Sequence, residues 1–372
     1  MKYYIISGEP SGDLHASNIV HHLKGLDASA TFRAWGGENL KKQGVSIVKN
    51  IKDFSYMGIL DVVLNLKSIR NNISFCKKDL LEFRPDALIL VDYAGFNLRI
   101  AEFAKKHNIM VFYYIPPKLW AWNKSRIFKI KKYVDKLIVI FPFEKEFYRK
   151  YDIQAFYFGN PIIDEINKKH KDLSLSSSKP IISLLPGSRK QEIDKIFPIM
   201  LSIIHSEFAK NFQFVVACST NIDINYYKKF TNKFSNIILV YNQTYSLLTK
   251  SKFALITSGT ASLEAALLGV PQIVCYKTNY LTYILAKLIL KVPYISLVNI
   301  LLTDYIRNSS NVPIVKELIQ KQLSKDNLLK EIYLLTKYSD KQFKAYNELK
   351  SIIGINKNPS KDISEFIYSS IT

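Results

Sequence analysis

Short apolar runs alternate with amphipathic stretches along most of the chain. The apolar runs, bounded by Gly, Pro, Ser or Asp, predict strands that are buried on both faces of a parallel sheet. The amphipathic stretches between them predict crossover helices, so the fold class is α/β with doubly wound units. Strands are expected at Tyr3–Ile6, Thr31–Trp35, Ala87–Val91, Val111–Ile115, Leu137–Ile140, Ile181–Leu185, Phe214–Ala217, Ile237–Val240 and Phe253–Ile256, with a further strand after Pro271 that ends at Tyr276.

A break in this alternation predicts two domains. Residues 168–179 are polar, Ser-rich and without a strand pattern, as expected of a linker. A chain of 372 residues also exceeds the usual size of a single core. We therefore place one α/β unit at 1–167 and a second at 168–344. From about residue 304 the pattern is helical and Lys-rich, and residues 357–372 carry few structural signals.

The segment 56–81 is more apolar than a helix with one buried stripe requires. Basic residues follow, beginning with Lys67 and Arg70. A helix of this kind can lie in a membrane interface with its cations on the headgroups, while additional burial in the core is the alternative. The apolar side chains of this candidate membrane patch include Met57, Ile59, Leu60, Val63 and Leu64.

The charge balance narrows the choice of partners. The chain has 52 Lys and Arg residues against 31 Asp and Glu residues, a net charge of +21. This excess favours nucleic acid, anionic lipid headgroups or phosphorylated substrates as partners. A drift of composition toward Lys, Asn and Ile is an equally open explanation.

Cysteine spacing and hydropathy limit the cellular compartments in which the protein is expected. The three cysteines lie far apart, which predicts neither a disulfide framework nor a zinc site and fits a reducing compartment. The N-terminus has only a strand-length apolar run, so no signal peptide is expected. The most apolar region, 281–302, is interrupted by Lys287, Lys291 and Pro293 and is not expected to span a bilayer.

Two turns in the second half are suited to phosphate. Ser258, Gly259 and Thr260 connect a strand to a helix start, whose free N–H groups and dipole favour an anion. Glu264, one turn later, could accept hydrogen bonds from ribose hydroxyls. An ordinary crossover with a Ser cap is the alternative. A similar turn at Gly187-Ser188-Arg189-Lys190-Gln191-Glu192 offers Arg189 to a phosphate.

Asp92 is the candidate catalytic base in the first half. It ends the strand at 87–91, where open α/β sheets bind their ligands, although an Asp that only caps the next helix is the alternative. The loop 7–13 lacks a dinucleotide fingerprint and a P-loop Lys, so a dinucleotide site is disfavoured. Asp13 and His15 are candidate ligand contacts, with a capping Asp and a surface His as alternatives.

Aromatic and basic residues cluster after the strand at 111–115. Trp120 and Trp122 precede Arg126 and several lysines. This combination suits a phosphorylated, lipid-bearing ligand or a nucleic acid, and the basic half would equally form a solvated helix face.

These motifs together resemble the lipid-A-disaccharide synthase family, which are bacterial glycosyltransferases of the GT-B type with two Rossmann-like domains facing a cleft. The resemblance covers about residues 1–322 in family order. It is specific because several motifs occur together: SGEPSGD from Ser7, DYAGFN from Asp92, WAW from Trp120, LPGSR from Leu185 and SGTASLEA from Ser258. In this fold the last helices cross back, so residues of about 345–372 are expected on the first domain.

The resemblance implies transfer of 2,3-diacylglucosamine from its UDP derivative to 2,3-diacylglucosamine 1-phosphate with inversion, giving a β-1,6-linked disaccharide and UDP. It implies no metal and no organic cofactor. The expected partners are these two substrates and the anionic inner-leaflet surface, with no nucleic acid, and a homodimer is left open. The expected location is cytoplasmic, peripheral on the inner face of the bacterial inner membrane.

The resemblance also distributes roles among the candidate residues. Asp92 takes the role of base and Arg189 stabilises the diphosphate. The UDP-sugar donor site is expected at Gly187, Ser188, Arg189, Glu192, Ser258, Gly259, Thr260, Glu264 and Asn299. The acceptor side of the cleft is expected at Glu9, Ser11, Gly12, Asp13, His15, Asn97, Trp120, Trp122 and Arg126.

Two rival classes remain at this level. Another UDP-sugar enzyme of the GT-B type, such as a UDP-N-acetylglucosamine 2-epimerase or a peptidoglycan glycosyltransferase, would share the nucleotide motifs. An epimerase acting on a water-soluble sugar would not need the apolar segment 57–66. A non-catalytic basic protein that binds nucleic acid or membrane would tolerate loss of the Asp92 carboxylate.

Overall fold

The computed structural model describes residues 1–54, 65–121, 124–168, 170, 172–173, 179–257, 259–289, 292–302 and 313–372. The chain divides into two compact units, Met1–Glu165 with Ile353–Thr372 and Ile166–Ile352. Several predicted site residues lie outside the described residues, namely Met57, Ile59, Leu60, Val63, Leu64, Trp122 and Ser258.

The first unit contains a seven-stranded sheet in which every strand pair is parallel. Its strands are β1 (Lys2–Ser7), β2 (Thr31–Gly36), β3 (Ser46–Asn50), β4 (Ala87–Val91), β5 (Met110–Tyr114), β6 (Lys136–Val139) and β7 (Ala155–Tyr157). Their order is β3-β2-β1-β4-β5-β6-β7, in which the chain reverses direction across the sheet between β1 and β4. Loops at such a switch point are where doubly wound sheets bind ligands.

Helices follow most of these strands. They are α1 (Pro10–Leu26), α2 (Glu38–Lys42), α3 (Leu66–Phe83), α4 (Ala94–Lys106), α5 (Ile127–Tyr133), α6 (Pro142–Arg149) and α7 (Ile162–Ile166). Alternate residues of each central strand face opposite layers. In β4, Leu88 and Leu90 belong to one apolar cluster and Ala87, Ile89 and Val91 to the other. Burial on both faces explains why these strands are uninterrupted apolar runs.

The second unit repeats this architecture with a six-stranded parallel sheet in the order β10-β9-β8-β11-β12-β13. Its strands are β8 (Ile181–Leu185), β9 (Gln213–Cys218), β10 (Ile237–Tyr241), β11 (Ser251–Thr257), β12 (Gln272–Tyr276) and β13 (Lys316–Ile319). The helices that follow along the chain are α8 (Lys190–Leu201), α9 (Ile224–Thr231), α10 (Thr244–Lys250), α11 (Thr260–Leu267), α12 (Tyr280–Ile289), α13 (Leu297–Leu302), α14 (Lys325–Tyr338), α15 (Asp340–Ile353) and α16 (Pro359–Ser369).

Helix α16 returns to the first unit and packs on α1. Ser364 Oγ donates a hydrogen bond to the Ile19 carbonyl oxygen at 3.0 Å. The Phe366 ring lies 4.5 Å from that of Phe156. Ile363 and Ile367 are fully buried in the same apolar cluster as β1 and β4. The last helix therefore completes the core of the first sheet.

The α/β prediction with two parallel sheets is confirmed, while two details of the sequence analysis are wrong. The loop expected at 7–13 is helical from Pro10, because Pro at the first helical position needs no hydrogen-bonded N–H. The stretch after residue 304 was expected to be helical but contains the edge strand β13.

Candidate active-site residues

Asp92 follows β4 directly, at the switch point of the first sheet. It is half-buried and has a left-handed backbone with φ of 51°, as does Tyr93 with φ of 47°. Burial raises the pKa of the Asp92 carboxyl, while a hydrogen bond from the Tyr93 amide and the charge of Lys118 lower it. A carboxylate whose pKa is raised is a stronger proton acceptor once ionised.

The turn after β4 is packed against the loop after β1. A Cβ atom on Gly8 would lie 2.2 Å from the Tyr93 ring, so this position has room only for Gly. The Tyr93 hydroxyl donates a hydrogen bond to the Phe54 carbonyl oxygen at 2.9 Å. Tyr93 also stacks on Phe96 with ring centroids 5.5 Å apart. The loop with the SGEPSGD motif and the Asp92 turn are thereby brought together, as two adjacent strand ends require.

Asp13 lies in the first turn of α1 but serves a different helix. Its carboxylate is buried and accepts hydrogen bonds from the amides of Gly37 at 2.6 Å, Asn39 at 2.9 Å and Leu40 at 3.4 Å. These amides belong to the start of α2, which has no other side-chain cap. The structure therefore uses both carboxylate oxygens to fix the loop after β2, in the manner of an N-cap.

The other predicted residues of this loop differ in exposure. Glu9 is the N-cap of α1 and is half-buried, whereas Ser11 is exposed. Gly12 is buried with its Cβ position 3.6 Å from Val91, an ordinary contact. His15 is 9% exposed, so the surface His considered from the sequence is wrong.

Trp120 is buried and tied to a carboxylate within the first unit. Its indole Nε1 donates a hydrogen bond to Glu144 Oε1 at 3.0 Å. The other carboxylate oxygen accepts from the amides of Ile140 at 3.1 Å and Phe141 at 3.0 Å. Burial raises the pKa of Glu144 despite these bonds. Trp120 therefore anchors the loop after β5 to the start of α6, while Arg126 is half-buried in the turn before α5.

Lys118 is a charged group near Asp92 that the sequence analysis did not single out. Burial lowers the pKa of its ammonium, although the charges of Glu144, Asp92 and Glu9 act in the opposite direction. The side chain retains access to solvent, so water screens part of these interactions. Its position two residues before Trp120, in a loop that follows a central strand, is the signal that could have identified it.

In the second unit, the loop after β8 turns at Gly187. Gly187 has φ of 121°, and a Cβ atom there would lie 2.6 Å from Glu192 Oε2. The same carboxylate oxygen accepts a hydrogen bond from the Ser188 amide at 3.1 Å. Arg189 is the N-cap of α8, and its guanidinium is 61% exposed and 3.7 Å from Glu192 Oε1. We call residues 186–192 the arginine loop.

Helix α11 begins after β11, which is the neighbour of β8 in the second sheet. Gly259 is its N-cap residue with φ of 127°, and no described atom lies within 4 Å of a Cβ built there. Thr260 is exposed at the first helical position. Because β8 and β11 are paired and parallel, the arginine loop and the start of α11 emerge at the same edge of the second sheet.

Glu264 is held by an aromatic pair. The Tyr245 hydroxyl donates a hydrogen bond to Glu264 Oε1 at 3.0 Å. The Tyr245 ring is stacked on His170 with centroids 4.7 Å apart and planes within 5°. The carboxylate therefore has a defined orientation, with Tyr245 as a residue that sequence reasoning missed because it lies on another helix.

Asn299 is fully buried rather than open to a ligand. Its Nδ2 donates hydrogen bonds to the Val315 carbonyl oxygen and to Glu317 Oε1, both at 2.8 Å. Its Oδ1 accepts from the Val315 amide at 2.9 Å. The side chain therefore links α13 to Val315, the residue before β13, and its hydrogen bonds hold the backbone there.

The described residues contain neither a metal-binding cluster nor a membrane-spanning helix. No group of three or more His, Cys, Asp or Glu side chains there could hold a metal ion. No helix that the structure describes has the length and apolar character needed to cross a membrane.

Comparisons with known proteins identify relatives along the whole chain. The family model for lipid-A-disaccharide synthetase, LpxB, matches residues 3–368. A lipid-A-disaccharide synthase 1 of Legionella pneumophila strain Lens is 34% identical over 349 residues, covering 86% of this chain and 91% of the relative. A lipid-A-disaccharide synthase of Coxiella burnetii strain Dugway is 32% identical over 359 residues, covering 94% and 91%.

Solved structures share the fold at low sequence identity. The glycotransferase of kitacinnamycin matches with a TM-score of 0.66 at 11% identity, covering 99% of this chain and 98% of the other. The UDP-GlcNAc 2-epimerase of Neisseria meningitidis, bound to UDP-GlcNAc, matches with a TM-score of 0.58 at 15% identity, covering 100% and 99%. These likenesses establish the two-domain GT-B architecture and leave the reaction to other observations.

Proposed function

Because the chain belongs to the lipid-A-disaccharide synthetase family, and is thus a glycosyltransferase of lipid A biosynthesis, we propose that it transfers 2,3-diacylglucosamine from UDP-2,3-diacylglucosamine to 2,3-diacylglucosamine 1-phosphate. The acceptor 6-oxygen forms a bond to the sugar C1 while the bond from C1 to the UDP oxygen breaks. An α-linked donor and a β-linked product require one displacement with inversion. The acceptor hydroxyl proton must leave, and UDP carries away the bonding electron pair.

Asp92 accepts that proton in this proposal. The supporting observation is a carboxyl group with a raised pKa at the switch point of the first sheet, followed by a left-handed turn. A general base must reach within about 2.6–3.2 Å of the proton donor. Lys118 and Glu9 are the charged neighbours that would surround the acceptor, with Lys118 suited to its 1-phosphate.

The arginine loop and the start of α11 hold the leaving UDP in this proposal. The guanidinium of Arg189 is exposed, so it is available for a bidentate contact with the diphosphate. Arg189 is the N-cap of α8 and Gly259 is the N-cap of α11, and a negative charge is favoured at such helix starts. Glu264, oriented by Tyr245, would accept hydrogen bonds from the ribose hydroxyls.

The test is UDP release by the purified chain in detergent micelles that contain UDP-2,3-diacylglucosamine, with and without 2,3-diacylglucosamine 1-phosphate. We expect release only with the acceptor, together with a product whose new linkage is β by the proton coupling of the anomeric carbon. Release without acceptor would indicate hydrolysis, and an α-linked product would exclude single displacement. Turnover of UDP-N-acetylglucosamine instead would favour an epimerase reaction, since the fold is shared with the UDP-GlcNAc 2-epimerase of Neisseria meningitidis.

We further propose that the first unit binds the anionic surface of the inner membrane from the cytoplasmic side. Helix α3 exposes Leu66 by 58% and Phe75 by 49%, and helix α5 exposes Phe128 by 72%. A groove of about 210 Å³ between α3 and α4 is lined by Lys77, Arg99 and Lys106 together with Ile73, Glu102 and Phe103. Apolar side chains beside clustered cations favour anionic headgroups.

Vesicle sedimentation tests this surface. We expect binding to phosphatidylglycerol vesicles that weakens with salt and is absent with phosphatidylcholine, because each cation near the surface contributes about 1 kcal/mol. The double variant Lys77→Gln/Arg99→Gln should bind less than Lys321→Gln/Lys325→Gln, which removes the same charge from exposed positions of the second unit. Equal binding of the two variants would contradict the proposed surface.

A further inference from the structure

The peptide after Asp92 is held in a rarely populated conformation. Asp92 and Tyr93 are consecutive residues with φ of 51° and 47°. A single left-handed Asp is tolerated, whereas Tyr is not among the residues enriched there, and two in succession add their costs. Such turns persist only where the surrounding structure determines them.

Two side chains from different elements converge on one backbone atom of this turn. Asn97 Nδ2, in the first part of α4, donates a hydrogen bond to the Asp92 carbonyl oxygen at 2.7 Å. The Tyr113 hydroxyl, from β5, donates to the same oxygen at 2.9 Å. Asn97 Nδ2 also donates to the Val91 carbonyl oxygen at 3.3 Å. We call Asn97 and Tyr113 the carbonyl brace.

Asn97 carries an unfavourable feature that its role in the brace explains. The residue is fully buried, and its Oδ1 has no hydrogen-bond partner among the described residues. Reversing the amide would not relieve this, because Oδ1 would then face the carbonyl oxygens of Val91 and Asp92, which are also acceptors. A buried acceptor without a partner is costly and calls for a reason. The reason here is the pair of carbonyl oxygens that end β4.

We propose that Tyr113 and Asn97 are positioning residues for the reaction. By fixing the Asp92 carbonyl, they hold the Cα–Cβ bond that aims the Asp92 carboxylate. The proposal rests on the proposed role of Asp92 as the base. Its consequence is kinetic, since a misplacement of about 1 Å in a reacting group costs up to about 10²-fold in rate.

The chain provides a matched control on the same strand. Tyr113 and Tyr114 are adjacent in β5 and both fully buried, but they face opposite sides of the sheet. The Tyr114 hydroxyl has no hydrogen-bond partner among the described residues. Tyr113→Phe and Tyr114→Phe therefore remove the same atom from the same strand, and only the first removes a bond to the Asp92 turn.

The experiment compares kcat and KM of these two variants in the acceptor-dependent UDP release assay. We expect kcat to fall about tenfold in Tyr113→Phe, with KM for both substrates unchanged, since ground-state binding does not use the brace. Tyr114→Phe should keep the wild-type kcat. Thermal unfolding of both variants gives the folded fraction. If Tyr113 had a purely structural role, its substitution would lower the folded fraction and leave kcat per folded molecule unchanged.

A second variant makes the inference independent of one substitution. Asn97→Leu keeps the approximate size, loses the donor and adds no charge, so it should lower kcat more than Tyr113→Phe does. Equal kcat in Tyr113→Phe and Tyr114→Phe would overturn the brace. The Asp92→Asn variant separates the two claims. Full activity there would refute the base, whereas loss of activity there combined with unaffected Tyr113→Phe would refute the brace alone.

Discussion

The Asp92 turn and the arginine loop end comparable strands and are built in opposite ways. Both β4 and β8 are fully buried central strands. The Asp92 turn is then fixed by side chains from α4 and β5, and its carboxylate is half-buried. In the arginine loop, Ser188 and Arg189 are instead exposed, and both contact the carboxylate of Glu192 in the same loop.

This difference follows from what each group is proposed to do. A base must be aligned with one proton, so a fixed position favours the reaction more than reach does. A cation that meets an incoming diphosphate must be open to solvent before the ligand arrives, and the exposed pair with Glu192 costs little to break. The same kind of fold can therefore hold a base in a fixed position at one strand end and leave a cation open to solvent at another.

The largest effect is expected from the Asp92 carboxylate itself. Asp92→Asn keeps the size and the tolerance for a left-handed backbone but removes the base, so kcat/KM should fall by about 10²–10⁴-fold. Asp152→Asn is the matched control, since Asp152 is also left-handed, with φ of 55°, and its side chain is 90% exposed. Equal activity of the two variants would remove Asp92 from the mechanism.

The next effect concerns the guanidinium of the arginine loop. Arg189→Ala should lower kcat/KM by about 10²-fold because a charge that stabilises the leaving group is lost, and Arg189→Lys should recover only part of it. Arg149→Ala is the control, since Arg149 is also exposed and also pairs with a Glu one helical turn away. Neither change should alter thermal stability measurably, because exposed ion pairs contribute about 0–1 kcal/mol.

A smaller effect should come from the backbone of the arginine loop. Gly187→Ala combines a left-handed φ with a clash against Glu192, and we expect a loss of about 1–3 kcal/mol in the free energy of unfolding. Gly269→Ala has φ of 78° with no described atom near its Cβ, so it should cost less, about 1 kcal/mol. Denaturant unfolding of both variants gives the comparison. A milder effect at Gly187 would show that the loop relaxes freely.

The sequence predicts the central strands of both sheets and one edge strand, β10, but misses three other edge strands. Strands such as β4 and β8 are buried on both faces, so their sequences are unbroken apolar runs. The missed strands β3, β7 and β13 all lie at sheet edges, and most of their residues are only partly buried. Edge strands tolerate charged residues such as Lys316, so their pattern carries less information.

The same division applies to the candidate site. Motif residues at strand ends, such as Asp92 and Arg189, are found by their position after an apolar run. Their partners from other elements are not, because Tyr113 and Tyr245 look like ordinary core or helix residues until the fold brings them to a carbonyl or a carboxylate. Asp13 and Asn299 behave differently from Asp92 and Arg189. They were predicted to contact a ligand, but their side chains form hydrogen bonds with the protein's own backbone.

The most direct test of Asp92 as the base is the pH dependence of kcat/KM for wild type and Lys118→Gln. A base acts when ionised, so activity should be present above the Asp92 pKa and fall about tenfold per pH unit below it. Burial places that pKa above the ordinary value of about 3.9.

Lys118 lowers the Asp92 pKa, so its removal should move the acid limb to higher pH. The unfolding midpoint, followed over the same pH range, separates titration of the base from acid unfolding. The account predicts an upward shift in Lys118→Gln and no such limb in the residual activity of Asp92→Asn. An acid limb that persists at the same pH in both variants would contradict it.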